Sequence, residues 1–372
     1  MGYTGKEDIY IQLMQDITGL DVINPNTRIL QSQDDLANAT PEEKKLNDAL
    51  KNSRNDLCTK LGIKTSDMPV GSPPAETTGY IEPCPIQYTG DISKGQKFHC
   101  IFIGLNPHLD KERWRNFPSD ENNQRATFAD LANFHHPHHM FYDGYNSKKY
   151  SADGLMKNNY WRVMGNMKFF EPKNRGDWSP YYKDAIRLHL ALLPDSCSEV
   201  YNKFEDMKKA YDSTKDLLRK LTEFPVANIE LLPYKSENIS MSKFNKLLES
   251  ECYVRYLKDI VTFIKLHTAD NAYIIATNSV SKLYELYNFL RKHLMGLEEY
   301  TSKKNDLYTY CLCSRDFTQK EKHYPERAPM YLTKWGERKL IVTSPISKRN
   351  SYSWIYKDFS NGWVDAIKYD FP

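Results

Sequence analysis

One run constrains the fold of this chain more than any other: Lys97-Phe98-His99-Cys100-Ile101-Phe102-Ile103-Gly104-Leu105-Asn106-Pro107-His108. Five of the seven residues from Phe98 to Gly104 are aromatic, aliphatic or Cys, with a charge before them and a turn signal after. A continuous apolar run of that length predicts a strand buried on both faces of a parallel sheet. Gly104 allows a sharp bend and Pro107 cannot donate to a ladder, so the strand is expected to stop there. Asn106 is then delivered at the carboxyl end of a central strand, where open α/β sheets hold their ligands.

Three further strands are expected at Val226–Leu232, Ala272–Thr277 and Lys339–Ser344, the first of them ended by Pro233. Between the second and third strands, Tyr253, Leu257, Ile260, Val261 and Ile264 recur at helical spacing. After the third, Val280, Leu283, Tyr287, Leu290 and Leu294 do the same. Strands separated by amphipathic helices predict a three-layer α/β fold: a central, mostly parallel four-stranded sheet with helices on both faces. Ahead of it, residues 1–78 read as a helical accessory segment and linker, and residues 79–372 as the main domain. One helix is expected over Glu7–Ile17; a second opens at Pro41, capped by Thr40. Met68-Pro69-Val70-Gly71-Ser72-Pro73-Pro74 has linker composition.

Bulk properties narrow the class. Mean hydropathy is -0.68, and no apolar run approaches the roughly 18 residues of a membrane span. The start Met1-Gly2-Tyr3-Thr4-Gly5-Lys6 lacks an apolar signal core, and Lys6 stands where a myristoylation site expects Ser or Thr. A cytoplasmic protein with no membrane partner is expected. Seven cysteines (Cys58, Cys84, Cys100, Cys197, Cys252, Cys311, Cys313) form no C-x-x-C pair, so neither a disulfide framework nor a zinc ribbon is indicated. No metal or cofactor is expected. The net charge is only +3, yet from Arg291 to Arg349 there are 13 Lys/Arg against seven Asp/Glu. A basic carboxyl-terminal third suits a phosphate-tracking surface, although surplus surface lysine reads the same way.

Three stretches in order carry a resemblance. Gly104-Leu105-Asn106-Pro107 ends the first strand. Asn158-Asn159-Tyr160-Trp161-Arg162-Val163-Met164 reads as an aromatic helix start. Thr343-Ser344-Pro345-Ile346-Ser347-Lys348-Arg349-Asn350 follows the last strand. Together with Ile229-Glu230-Leu231-Leu232-Pro233-Tyr234, a middle strand ending in a Pro-containing turn, this resembles the uracil-DNA glycosylase superfamily. It is nearest the mismatch-directed uracil/thymine branch, which carries Asn at the first motif. The resemblance covers roughly residues 80 to 372.

The resemblance implies a monofunctional DNA glycosylase that flips a modified or mismatched base and hydrolyses its N-glycosidic bond. In that reading Asn106 and His108 are catalytic, Asn106 orienting water through its amide oxygen. Gly104, Leu105, Pro107, Tyr160 and Trp161 line the base pocket. Ser344, Pro345, Ile346, Ser347, Lys348 and Arg349 form the DNA-binding loop: Ile346 wedges, the serines hold phosphates and the two cations track the backbone. The pattern departs from the uracil-specific members at Thr343-Ser344, where they place a base-stabilising His; His108 is the available substitute.

About fifty residues separate Asn106 from Trp161, including His135-His136-Pro137-His138-His139. Pro137 breaks helical metal-ligand spacing, and a substrate-shaping loop is the better reading of that insertion. An enlarged insertion suits a base other than plain uracil, including glucosylated hydroxymethylcytosine in phage DNA. Two alternatives stay open: a catalytically idle nucleic-acid- or partner-binding protein on the same fold, and a hydrolase of free nucleotides, for which the basic final loop would be superfluous.

Overall fold

A computed structural model describes residues 6–24, 26–30, 32–65, 67, 86–88, 95–105, 180–201, 204–211, 217, 220–221, 223–234, 239–279, 282–298 and 331–343. In chain order the elements are α1 (Lys6–Thr18), α2 (Gln33–Ala37), α3 (Pro41–Leu61), β1 (Ile86–Tyr88), β2 (Phe98–Gly104), α4 (Pro180–Ala191) and α5 (Phe204–Ala210). Then come β3 (Val226–Glu230), α6 (Met241–Leu247), α7 (Glu251–His267), β4 (Thr268–Thr277), α8 (Leu283–His293), β5 (Tyr331–Trp335) and β6 (Arg338–Thr343). No described helix is long and apolar enough to cross a membrane.

The strands form one sheet in the order β1-β3-β2-β4-β6-β5. The four strands expected from sequence are its centre, and β2 has the expected bounds. β2 and β4 run parallel, as do β4 and β6. Between β3 and β2, the amides of His99, Leu231 and Leu232 bond the carbonyls of Pro225, Gly104 and Leu105 respectively. Positions on both strands therefore rise together, which makes this pair parallel too. The sheet corrects the four-stranded expectation to six. β1 is only three residues long, too short for any periodicity to register. β5 is antiparallel to β6, Trp335 facing Arg338 across a two-residue loop. Gly336 opens that loop at φ 62°, the left-handed backbone that tight hairpins require. β4 also begins four residues earlier than expected, because a bulge lies opposite the Phe98–Cys100 step.

The chain divides into two compact units. One comprises Met1–Gly95, Gly104–Tyr160 and Asn228–Leu266; the other comprises Gln96–Ile103, Trp161–Ala227 and His267–Pro372. In the second unit, alternation along the strands sorts side chains to two faces. Cys100, Phe102, Tyr273, Ile275, Leu332 and Ile341 pack with Ala185, Ile186, Leu188 and Leu192 of α4 and its exit. On the opposite face α8 stacks Tyr287 on Tyr331, ring centroids 4.9 Å apart. Helices thus cover both faces of a mostly parallel sheet.

α4 buries its whole final turn, polar residues included. The Arg187 guanidinium donates to the Tyr201 carbonyl at 2.7 and 3.0 Å. His189, fully buried, bonds the Phe224 carbonyl through Nε2 at 2.9 Å. Burial holds that imidazole down at about 4, so it is neutral and donates.

In the first unit, α3 begins with the expected Thr40 cap. The Thr40 hydroxyl accepts from the Glu43 amide and the Glu43 carboxylate accepts from the Thr40 amide, a reciprocal capping box. The Ser53 hydroxyl joins α3 to the end of α1 by donating to the Ile17 carbonyl at 2.7 Å. α7 buries Tyr253, Tyr256, Leu257, Ile260, Phe263 and Ile264; Val261, expected on that stripe, is only half-buried. The expected linker at Met68–Pro74 and the expected strand end at Ser344 lie outside the described residues, as does Val280.

Candidate active site

β2 and β3 are neighbours and parallel, so their carboxyl ends open on the same edge of the sheet. Gly104 ends β2 and Glu230 ends β3. Every residue of β3 is buried, Glu230 included at 8 % exposure. A carboxyl group enclosed in an apolar strand is costly unless it is neutralised or well bonded. Here one oxygen is bonded and the other is not. Asn228, two residues earlier and therefore on the same face, donates its amide to Oε1 at 2.8 Å. Oε2 is buried with no hydrogen-bond partner.

Gly104 makes room for this group. A Cβ at that position would overlap the Glu230 carboxyl, meeting Oε2 first. Oε2 therefore lies over the last residue of β2, two positions before Asn106 in the chain. Gly104→Ala is expected to destabilise the fold by about 1–3 kcal/mol through this overlap. Adding Glu230→Ala should remove most of that cost; urea titrations of the single and double variants measure it.

Helix α7 holds the end of β3 in place. The Tyr256 hydroxyl donates to the Glu230 carbonyl at 2.6 Å, and the Tyr253 hydroxyl donates to the Leu231 carbonyl at 2.9 Å. Both tyrosines are fully buried. Each bond satisfies a backbone acceptor beyond the regular ladder and is worth about 1 kcal/mol. The carboxyl is thus presented from a supported backbone.

Burial raises the Glu230 carboxyl to about 7, the Asn228 bond opposing the shift. An acid of that strength has both forms available near neutral pH, which is what proton transfer requires. In the second unit, by contrast, the Glu199 carboxylate is closed off by partners. Glu199 accepts from the Tyr201 and Tyr211 hydroxyls at 2.7 Å each and pairs with Lys220 at 3.0 Å. Among the described residues no group of three or more His, Cys, Asp or Glu stands together as metal ligands.

Of the residues singled out from sequence, Gly104 and Leu105 are half-buried at the end of β2, and both carbonyls bond β3's continuation. Asn106, Pro107, His108, Tyr160 and Trp161 lie outside the described residues. So do Ser344, Pro345, Ile346, Ser347, Lys348, Arg349 and the His135 to His139 run. Glu230 was missed as a functional group. Its signal was present: a lone carboxylate in Val-Ala-Asn-Ile-Glu-Leu-Leu, a segment that otherwise reads as a buried strand. No family model, curated protein or solved structure matches this chain.

Proposed function

We propose that the chain is a monofunctional DNA glycosylase, built on the three-layer glycosylase architecture and working at the carboxyl ends of β2 and β3. The observation that carries this reading is the pairing of those two strand ends. One continues into Gly-Leu-Asn-Pro, and the other holds a buried carboxyl group against that same glycine. Four parallel central strands with helices on both faces accord with it.

In this mechanism a nucleotide is flipped from the duplex and its base enters the pocket. Asn106 orients water beneath the anomeric carbon through its amide oxygen, being too weak a base to take the proton beforehand. The bond to the base breaks as the sugar gains cationic character, and water adds to leave an abasic site. Lys348 and Arg349 track the phosphates, and Ile346 fills the space left in the stack. The insertion between Pro118 and Asp153 shapes the mouth for a bulky base, glucosylated hydroxymethylcytosine among them.

The test offers duplexes carrying uracil, mismatched thymine, hydroxymethylcytosine or its glucosylated form, followed by alkaline cleavage of abasic sites. Strand scission at one modified position supports the reading. Duplex binding without scission of any of them would favour the idle nucleic-acid-binding alternative. Replacing Lys348 and Arg349 together by Ala is expected to weaken binding to all sequences alike. It should lower the slope of log affinity against log salt by about two; an unchanged slope removes this loop from the DNA.

A further inference from the structure

We propose that Glu230 is the general acid of this site, giving a proton from Oε2 to the base as its bond to the sugar breaks. The inference rests on the glycosylase reading above. Asn228 occupies Oε1 as a donor, so Oε1 serves as acceptor and the proton belongs on Oε2. Oε2 is the oxygen without a partner, and it lies over Gly104 at the strand end that leads to Asn106. A buried polar atom left without a partner at the carboxyl edge of a parallel sheet is the arrangement expected where a substrate atom completes the bonding.

The step balances. The C1′–N bond breaks and its electron pair passes to the base nitrogen. The Oε2 proton moves to an acceptor atom of the base, which leaves neutral. Water adds to C1′ and releases its proton to solvent, and the Glu230 carboxylate is reprotonated from solvent. This supplies the leaving-group stabilisation that Thr343-Ser344 does not offer in place of His.

Among the described residues, the groups that face Glu230 are the Asn228 amide on its own strand, the Gly104 backbone on β2 and the Tyr256 hydroxyl on α7, bound to the Glu230 carbonyl. No charged group among the described residues acts on it. The alkaline limb of the rate profile should therefore belong to Glu230 itself, its acid form being lost as pH rises through about 7.

Single-turnover excision of whichever modified duplex is cleaved, measured from about pH 5.5 to about pH 9, tests this. The native chain should lose rate about tenfold per pH unit on the alkaline side. Glu230→Gln keeps the shape but has no proton to give; it should be slower by about 100-fold or more at acid pH, without the alkaline break. Asn228→Ala removes a bond that favours the charged form, so its break should move to higher pH. Melting curves establish that each variant is folded; if Glu230→Gln is not, the Asn228→Ala shift decides alone. A Glu230→Gln rate within about threefold of native, or an unchanged break in either variant, overturns the proposal while leaving glycosylase activity standing. A native chain that cleaves none of the duplexes overturns both.

Discussion

Asn106→Ala is expected to yield a folded protein whose single-turnover excision is slower by at least about 100-fold, with DNA affinity nearly unchanged. The reason lies in the strand end that precedes it. β2 is buried over Phe98, Cys100, Ile101, Phe102 and Ile103, and its backbone is tied to β3 through the Gly104 and Leu105 carbonyls. The proposed role of Asn106, to orient one water molecule, therefore asks it to act two positions beyond a strand end whose backbone is held. Losing that orientation removes about 2.7 kcal/mol of transition-state stabilisation at 100-fold. In the proposed function DNA affinity comes from phosphate contacts made elsewhere, so affinity and rate should separate. A folded Asn106→Ala protein excising at the native rate would take Asn106 out of the mechanism.

Folding stability is expected to carry the mark of Glu230 across a defined pH window. Its carboxyl sits at about 7 in the folded chain against an ordinary 4.5. Between those values the folded chain holds a proton that the unfolded chain has released, so stability falls as pH rises through the window. The loss reaches about 3 kcal/mol and is complete above about pH 7. Glu230→Gln has no such titration. The stability of Glu230→Gln relative to native should therefore grow from about pH 4.5 to about pH 7 and then level off.

His189 works in the opposite sense. Held at about 4 against an ordinary 6.5, it makes the fold gain stability as pH rises over that range. Comparing variant with native at each pH cancels the His189 contribution and isolates that of Glu230. Urea midpoints at matched pH measure the difference. A difference that is flat across the window would mean that the carboxyl is ionised in the folded state at acid pH.

Much of the architecture was legible because the relevant forces are local. Apolar continuity marked β2 and the start of β3, although β3 ends at Glu230, two residues short of the Leu232 expected from Pro233. Thr40-Pro41-Glu42-Glu43 wrote a helix start that needs no distant partner, since its capping box closes within four residues. The hairpin of β5 and β6 was legible too and was passed over. Gly336-Glu337 stands as a two-residue loop between Tyr331–Trp335 and Arg338–Thr343, a pattern with its own turn chemistry.

The candidate site divides along the same line. The sequence by itself determined that Gly-Leu-Asn-Pro follows a buried strand, since apolar continuity and chain order suffice for that. Only the tertiary structure decided that β3 lies beside β2, because strand order depends on which surfaces bury each other and not on neighbours in the chain. That adjacency sets the Glu230 carboxyl over a glycine with no side chain to exclude it. The surrounding burial then lifts the carboxyl to about 7. Desolvation is a property of everything packed around a group, drawn here from β2, β3 and α7, and no window of sequence contains it.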